Sequence, residues 1–241
     1  MNTKLLYLED FNLYKCQSKV IDFFNDEDNN MIILDKTIFY PQGGGQPTDK
    51  GVIETNDSIF EVTQVKLEDS IVKHIGYFKK GQFKIKESVD CNINIPRRLF
   101  LSKLHSAGHV VDIAVSKLEI GWKSSKGYHY PEGPYLEYYG ILDENERENL
   151  RLRIEKETNN IIKKNLKTSI KFVNKEELKE ICGFIPDNIN IEKLIRVIMF
   201  GNFGIPCGGT HVNNLSEIKK IIIRKIKINQ GNIRVAYNIE Y

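Results

Sequence analysis

Two short motifs place nitrogen and sulfur ligands in pairs, His105-Ser-Ala-Gly-His109 and, further along the chain, Cys207-Gly-Gly-Thr-His211. Residues i and i+4 of a helix lie on one face, so both imidazoles of the first pair can reach the same cation. In the second pair, Gly208 and Gly209 can adopt positive φ, which lets the loop curl until thiolate and imidazole converge. This mixed donor set favours zinc over magnesium or calcium.

The predicted zinc site has two alternative interpretations. A zinc ion held by all four candidates, His105, His109, Cys207 and His211, is closed and structural, whereas a catalytic zinc keeps one position open. In an open site, His211 does not bind the metal and acts as a base or supports a ligand. Otherwise the metal has to become five-coordinate. We take the first three as ligands and His211 as either the fourth ligand or the base. The other histidines and cysteines lack such spacing and are predicted to be structural: His74, His129, Cys16, Cys91 and Cys182.

The composition is that of a soluble globular protein and excludes disordered and fibrous classes. The 241 residues are 41% hydrophobic and 28% charged, enough for one large or two modest cores. No apolar run reaches the length of a membrane span, and residues 1–10 show no signal pattern, so we expect a cytoplasmic protein. Four irregularly spaced cysteines do not form a disulfide framework.

Patterning predicts two domains that meet near Pro96. Residues 1–95 contain short β-rich runs at 31–34, 51–54, 59–65 and 71–75, separated by Asn, Asp and Gly turns, which predicts a small β-barrel domain. A helix with Pro96 in its first turn begins the second domain, 96–241, and both histidines of the first motif share its apolar face. Further helices near 143–165 and 175–181 and several strands make this half α+β, with helices packed on an antiparallel sheet.

Basic residues cluster near the end of the chain although the net charge is only +3. On a strand pair at 217–228 and 232–240, they alternate with isoleucines and present a positive stripe beside an apolar face. Such a stripe is either a solvated sheet face or a phosphate-binding surface. Its members, our candidates for phosphate contact, are Lys219, Lys220, Arg224, Lys225, Lys227 and Arg234.

A glycine-rich motif follows Phe39, with Gly43, Gly44 and Gly45 before Gln46 and Asp49. It lacks the Lys-Ser/Thr of a P-loop and the spacing of a dinucleotide-binding turn, so neither ATP nor NAD is expected as a ligand. A hairpin turn is an equally good explanation of the glycines.

Together, His105-x-x-x-His109, Cys207-x-x-x-His211 and the glycine-rich motif at 39–49 resemble the editing domain of alanyl-tRNA synthetase and its free-standing relatives, the AlaX alanyl-tRNA editing proteins. The resemblance covers nearly the whole chain, and the β domain before the metal motifs is similar to that of medium-type members. No ATP-binding or anticodon-binding module accompanies it, so we do not expect a synthetase.

The resemblance implies an enzyme that hydrolyses the ester linking serine or glycine to alanine tRNA. Zinc suits this reaction because it lowers the pKa of bound water to about 7 and polarises an ester carbonyl. Two alternatives remain open, a zinc-stabilised RNA-binding module without catalysis and a zinc hydrolase of another ester. A structural zinc normally uses more thiolates than the single one here.

The resemblance also implies substrate-binding segments. The glycine-rich loop, Gly43 to Gln46 with Asp49, is expected near the editing pocket, where it positions the tRNA end. A Gln-Lys-Gly-Ser stretch lines the family's pocket, and this chain has Ser125-Lys126-Gly127-Tyr128. Lysine and glycine match while glutamine and serine do not, so serine and glycine both stay candidate amino acids. Packing in the core is an equal alternative for Tyr128 and Tyr135.

Overall fold

The computed structural model describes residues 2–25, 30–182, 185 and 194–241, which form two compact units, Met1–Phe100 and Leu101–Tyr241. The boundary falls inside the first long helix, a few residues beyond the predicted one. The predicted fold class is confirmed, because a closed barrel of strands is followed by helices and antiparallel sheets. None of the helices within the described ranges is long and apolar enough to span a membrane.

The N-terminal unit is a six-stranded closed barrel in the order β2-β3-β7-β6-β5-β8, with β1 and β4 as a separate parallel pair. Its interior is filled by aliphatic and aromatic side chains such as Ile32, Phe39 and Phe60. The strands are β1 (Lys4–Leu5), β2 (Lys15–Asn25), β3 (Asn30–Leu34), β4 (Lys36–Thr37), β5 (Gly51–Glu54), β6 (Ile59–Glu68), β7 (Ile71–Lys80) and β8 (Ser88–Ile93).

The helix α1 (Ile95–Lys117) carries the first metal motif. Asn94 caps its start, because the Arg97 N–H donates to Asn94 Oδ1 at 3.0 Å. Leu101, Leu104 and many other apolar residues of this helix are buried. His105 lies on the same buried face, so the pattern that forms the core also fixes the imidazoles.

In the part of the C-terminal unit that the structure describes, two sheets and two further α-helices follow α1. A four-stranded sheet has the order β14-β15-β10-β9, and a three-stranded sheet has the order β11-β12-β13. All six residues of β12 are buried. The elements are β9 (Lys123–Tyr128), β10 (Tyr135–Tyr139), α2 (Arg147–Ile162), β11 (Thr168–Val173), α3 (Lys175–Ile181), β12 (Ile195–Phe200), β13 (Phe203–Pro206), β14 (Lys220–Asn229) and β15 (Asn232–Glu240).

Polar side chains of α2 cover part of the exposed edge of β14. Asn159 accepts from the Ile221 N–H at 3.0 Å and donates to the Ile221 carbonyl at 2.7 Å. Glu155 accepts from the Ile223 N–H at 2.8 Å. These bonds satisfy edge groups that otherwise invite pairing with another chain. Along its other edge β14 pairs with β15, with one irregularity between Ile223 and Lys225.

Candidate metal and active site

The four predicted ligands come together in the C-terminal unit. His105 and His109 lie one turn apart on α1, and Cys207 and His211 lie in the loop after β13. One donor atom from each residue lies within 4.8 Å of all the others, and Cys207 Sγ is 3.5 Å from His105 Nε2. Ligands on a tetrahedral zinc are roughly 3.3–3.7 Å apart, given bonds of about 2.0–2.3 Å. The cluster is therefore close to the spacing that zinc requires.

His109 supplies an independent sign that this cluster takes a ligand. Its ring is buried, and neither Nδ1 nor Nε2 has a hydrogen-bond partner among the described residues. A buried polar nitrogen without a partner costs about 1–3 kcal/mol. A metal ion bound through one nitrogen would relieve part of that cost, and three imidazoles with one thiolate suit zinc.

Burial sets the protonation states of the cluster. It lowers the pKa of His109 to about 4 and, together with the neighbouring histidines and Arg196, lowers the pKa values of His105 and His211 well below 6.5. All three rings are then neutral at pH 7, as metal ligation requires. Burial raises the pKa of the Cys207 thiol, which the Gly209 N–H and the positive charge of Arg196 oppose. Metal binding therefore has to displace a proton from Cys207.

Two serines of α1 hold the loop that carries His211. Ser106 Oγ accepts from the Val212 N–H at 3.1 Å and lies 3.2 Å from His211 Nδ1. Ser102 Oγ lies 2.8 Å from Thr210 Oγ1. If His211 binds a metal through Nε2, Nδ1 carries the proton and donates to Ser106, which is the supporting contact usual for a ligating histidine.

The expectation that Gly208 and Gly209 adopt positive φ is wrong, because neither is among the glycines with that conformation. Other contacts shape the loop instead. The Cys207 N–H donates to the Arg196 carbonyl at 3.2 Å, and the Arg196 guanidinium donates to the Cys207 carbonyl. The Gly209 N–H donates to Cys207 Sγ at 3.3 Å, which directly stabilises a thiolate.

His129, predicted from sequence to be an ordinary structural residue, packs against the cluster. Its ring stacks on that of His105, with 4.7 Å between centroids. Its Nδ1 lies 2.7 Å from the Tyr237 hydroxyl, which donates to the Leu104 carbonyl at 2.9 Å. Because that hydroxyl hydrogen goes to Leu104, His129 Nδ1 is the donor to Tyr237, and this bond fixes the tautomer. No spacing signal links position 129 to the two motifs.

Two glycines make room for the His129 ring, one of them in the predicted substrate-binding segment. A Cβ on Gly127 would lie 2.5 Å from His129 Nε2, and a Cβ on Gly108 would lie 2.3 Å from His129 Cε1. Gly127 therefore has a packing role beside the cluster. Contact of Ser125, Lys126 or Gly127 with substrate stays a prediction.

We expect Gly127→Ala to reduce stability by about 1–3 kcal/mol, the usual cost of forcing atoms into a packed region. It should also reduce zinc occupancy, because the displaced His129 ring stacks on His105. Urea denaturation and elemental analysis measure the two effects. Gly208→Ala is the matched control, since a Cβ added there would meet no atom of the described residues within 4 Å. Unchanged stability and zinc content in Gly127→Ala would contradict the packing argument.

The glycine-rich motif forms a tight turn in the N-terminal unit. Gly43 and Gln46 exchange backbone hydrogen bonds at 3.2 and 2.9 Å, and Gly44 and Gly45 have φ of +54° and +77°. Those angles account for two of the three glycines, in agreement with the hairpin-turn interpretation.

Asp49, at the end of the same motif, has a structural partner. Its carboxylate pairs with the Arg98 guanidinium, both side chains being 1% exposed, and also accepts from the Tyr40 N–H at 2.7 Å. Arg98 donates further to the Phe11 and Ile38 carbonyls. This buried pair joins the start of α1 to the barrel. Substrate contact by Gly43, Gly44, Gly45, Gln46 or Asp49 stays a prediction.

The basic residues near the end of the chain lie on β14 and β15 or just before them, beside isoleucines as predicted. Ile221, Ile223, Ile226 and Ile233 are buried, while Ile228 is 52% exposed. Arg224 donates to the Tyr237 and Pro134 carbonyls, and Arg234 pairs with Glu137 at 2.7 Å. The register places Lys225, Lys227 and Arg234 on the face opposite the buried isoleucines.

Comparison with known proteins finds relatives along nearly the whole chain. The model of tRNA synthetases class II (A) matches residues 9–97, and that of the threonyl and alanyl tRNA synthetase second additional domain matches residues 195–236. Over 98% of its length the chain is 30% identical to the alanyl-tRNA editing protein AlaX-L of Pyrococcus horikoshii and 29% identical to the alanine–tRNA ligase of Methanobrevibacter smithii. It spans 58% of the first relative and 27% of the second. The predicted resemblance is confirmed: along nearly its whole length the chain is similar to an alanyl-tRNA editing protein and to an alanine–tRNA ligase.

Proposed function

We propose that the chain is a zinc-dependent aminoacyl-tRNA deacylase that acts in trans on mischarged tRNA-Ala, with Ser-tRNA-Ala as its main substrate and Gly-tRNA-Ala as the alternative. The observation that carries the proposal is the convergence of His105, His109, Cys207 and His211 within 4.8 Å. The relation to an alanyl-tRNA editing protein along 98% of the chain supports the substrate class. Ester hydrolysis needs no ATP.

Each residue of the cluster has a proposed role. His105, His109 and Cys207 hold the zinc, and His211 is either its fourth ligand or a base whose ring Ser106 orients. Zinc bound here would polarise the ester carbonyl and make a nucleophile available from water at neutral pH. His129, stacked on His105, keeps that imidazole in place.

The solvent-facing side of the four-stranded sheet supports RNA as the partner. Tyr128 stacks on Tyr130 and on Tyr135, with centroids 4.2 and 4.9 Å apart, and the Arg234 guanidinium lies 3.8 Å from the Tyr135 ring centroid. The pairing register puts Lys126, Lys225 and Lys227 on the same face. Aromatic rings and guanidinium groups stack with unpaired bases, and lysines attract phosphates. We assign this face, with Lys219, Lys220 and Arg224 at its margin, to the tRNA.

Tyr128→Ala should weaken binding of uncharged tRNA-Ala by roughly 5- to 100-fold, since base–aromatic stacking is worth about 1–3 kcal/mol. Filter binding measures the dissociation constant without any dependence on catalysis. Tyr77→Ala is the matched control, because this barrel tyrosine is 50% exposed. Equal dissociation constants for the two variants would remove the tyrosines from the tRNA-binding surface.

The experiment that tests the substrate assignment is incubation of zinc-loaded protein with tRNA-Ala charged separately with serine, glycine and alanine. We expect release of serine to be faster than release of alanine, because a site that hydrogen-bonds a hydroxyl discriminates strongly against a substrate without one. Fastest release of glycine would move Gly-tRNA-Ala into first place. Equal rates for serine and alanine would contradict an editing role.

A further inference from the structure

A cavity of about 770 Å³ lies in the C-terminal unit between α1, the β9–β10 hairpin and β13. That volume is typical of small-molecule sites. Its walls are mostly apolar and include the side chains of Trp122 and Phe203. Asp112, Ser124 and Tyr138 bring polar atoms into the lining.

The cavity lies next to the candidate metal site along α1. Asp112 follows His109 by three residues and His105 by seven, so all three share one face of the helix. On the opposite side the cavity is lined by Phe203, Gly204 and Ile205, and the same strand leads into Cys207. A molecule in the cavity is therefore flanked by both segments that supply the metal ligands.

The Asp112 carboxylate is held by neutral donors. Its Oδ1 accepts from the Tyr138 hydroxyl at 2.8 Å and from the Ser124 hydroxyl at 3.3 Å. Within the described ranges, no ion pair joins it to Lys117 or Lys123, which also line the cavity, and Lys117 pairs with Glu157. Burial raises the Asp112 pKa to about 6, so the group is mainly ionised above pH 7. A carboxylate in these surroundings favours a cationic ligand, which would offset its desolvation.

Aromatic rings add to the preference for a cation. Trp122 and Tyr138 lie with ring centroids 5.8 Å apart, and both line the cavity. The Trp122 Nε1–H already donates to the Ile141 carbonyl at 2.9 Å, so the indole offers a ligand its ring surface rather than its donor. An ammonium group near such a ring gains about 0.5–2 kcal/mol.

We propose that this cavity receives the aminoacyl part of the ester and that Asp112 binds its α-ammonium group. The inference rests on the proposed function and specifies how that site reads its substrate. The α-ammonium is the one cation common to aminoacyl esters, and it lies two bonds from the carbonyl carbon that is attacked. Binding it one helical turn from His109 directs the ester towards the metal ligands, and a substrate without this charge is bound less well.

The test compares Ser-tRNA-Ala with its hydroxyacyl analogue, made by nitrous acid deamination, in which a hydroxyl replaces the ammonium at nearly equal size. We expect the wild-type kcat/KM to fall roughly 10- to 100-fold for the analogue, the range for a hydrogen bond to a charged group. Asp112→Asn should lower kcat/KM for Ser-tRNA-Ala to a similar level and cleave both substrates at nearly the same rate. Its zinc content should equal that of the wild type.

Glu119→Gln is the control, because it neutralises another carboxylate of the same lining, and it should keep the wild-type discrimination. A second readout is binding of the non-hydrolysable seryl amide of 3′-amino-3′-deoxyadenosine, which Asp112→Asn should weaken by a similar factor. Equal wild-type kcat/KM for the two esters, or full discrimination in Asp112→Asn, overturns the inference and leaves the proposed function standing. If the wild type cleaves neither ester, the proposed function fails and this inference fails with it.

Discussion

Cys207→Ala is expected to remove most of the zinc from the protein and to lower deacylation of Ser-tRNA-Ala by at least roughly 100-fold. Cys207 offers the one sulfur atom of the four-residue cluster, and its Sγ lies 3.5 Å from His105 Nε2. Loss even of a group that only supports a ligand costs about 10- to 100-fold in metal affinity or activity, so loss of a ligand should cost more. Elemental analysis and a deacylation assay on the same preparation measure both quantities.

Cys182→Ala is the matched control for this variant. Cys182 is a buried cysteine of the same C-terminal unit, and it packs in the separate cluster with Val173 and Leu178. It should keep both zinc and activity, apart from a small loss of stability from the smaller side chain. Full zinc occupancy in Cys207→Ala would show that the metal site is elsewhere.

His211→Ala should produce the second large effect, a decrease in turnover of roughly 10²- to 10⁴-fold with partial loss of zinc. The size is that of a lost general base, and the zinc loss reflects the position of His211 within the ligand cluster. The two roles leave different signatures. A ligand's removal weakens zinc binding, whereas a base's removal leaves most zinc in place and depresses turnover.

Ser106→Ala tests how much the support of His211 and its loop contributes, since Ser106 contacts both His211 and the Val212 N–H. It should reduce activity in the same direction but less than His211→Ala. A His211→Ala protein with wild-type zinc and wild-type deacylation would remove this residue from the mechanism.

Local patterns were sufficient to predict much of the fold. The β-rich runs of the first hundred residues correspond to β3, β5, β6 and β7, and the helix that starts at Pro96 is α1. These elements carry their own periodicity and turn residues, so no distant contact is needed to recognise them. β2 and β8 were not predicted. β8 pairs with β2 and β5, both distant in sequence, and β2 pairs with β8 as well as with its neighbour β3, so much of their pairing is non-local and leaves a weaker local signal.

The sequence predicts those residues of the candidate site that occur in closely spaced pairs. It does not predict residues that have no partner nearby in sequence. Each motif pairs its candidate ligands within five positions, and the donor set that zinc prefers links the two motifs. His129 has no neighbour in sequence that marks it, and its role depends on stacking with His105 and on Tyr237, which lies on a distant strand. Asp112 was also missed, because a lone Asp on a helix gives no signal until β9 and β10 bring hydroxyls to it.

The most direct measurement of the central claim is the rate of serine release from Ser-tRNA-Ala before zinc removal, after removal with a chelator, and after zinc is added back. We expect activity to fall with zinc content and to return when one zinc per chain is restored, because His105, His109, Cys207 and His211 form a single cluster. Cys207→Ala, treated in the same way, should stay inactive after zinc is returned. Undiminished serine release by the zinc-free protein would contradict the account.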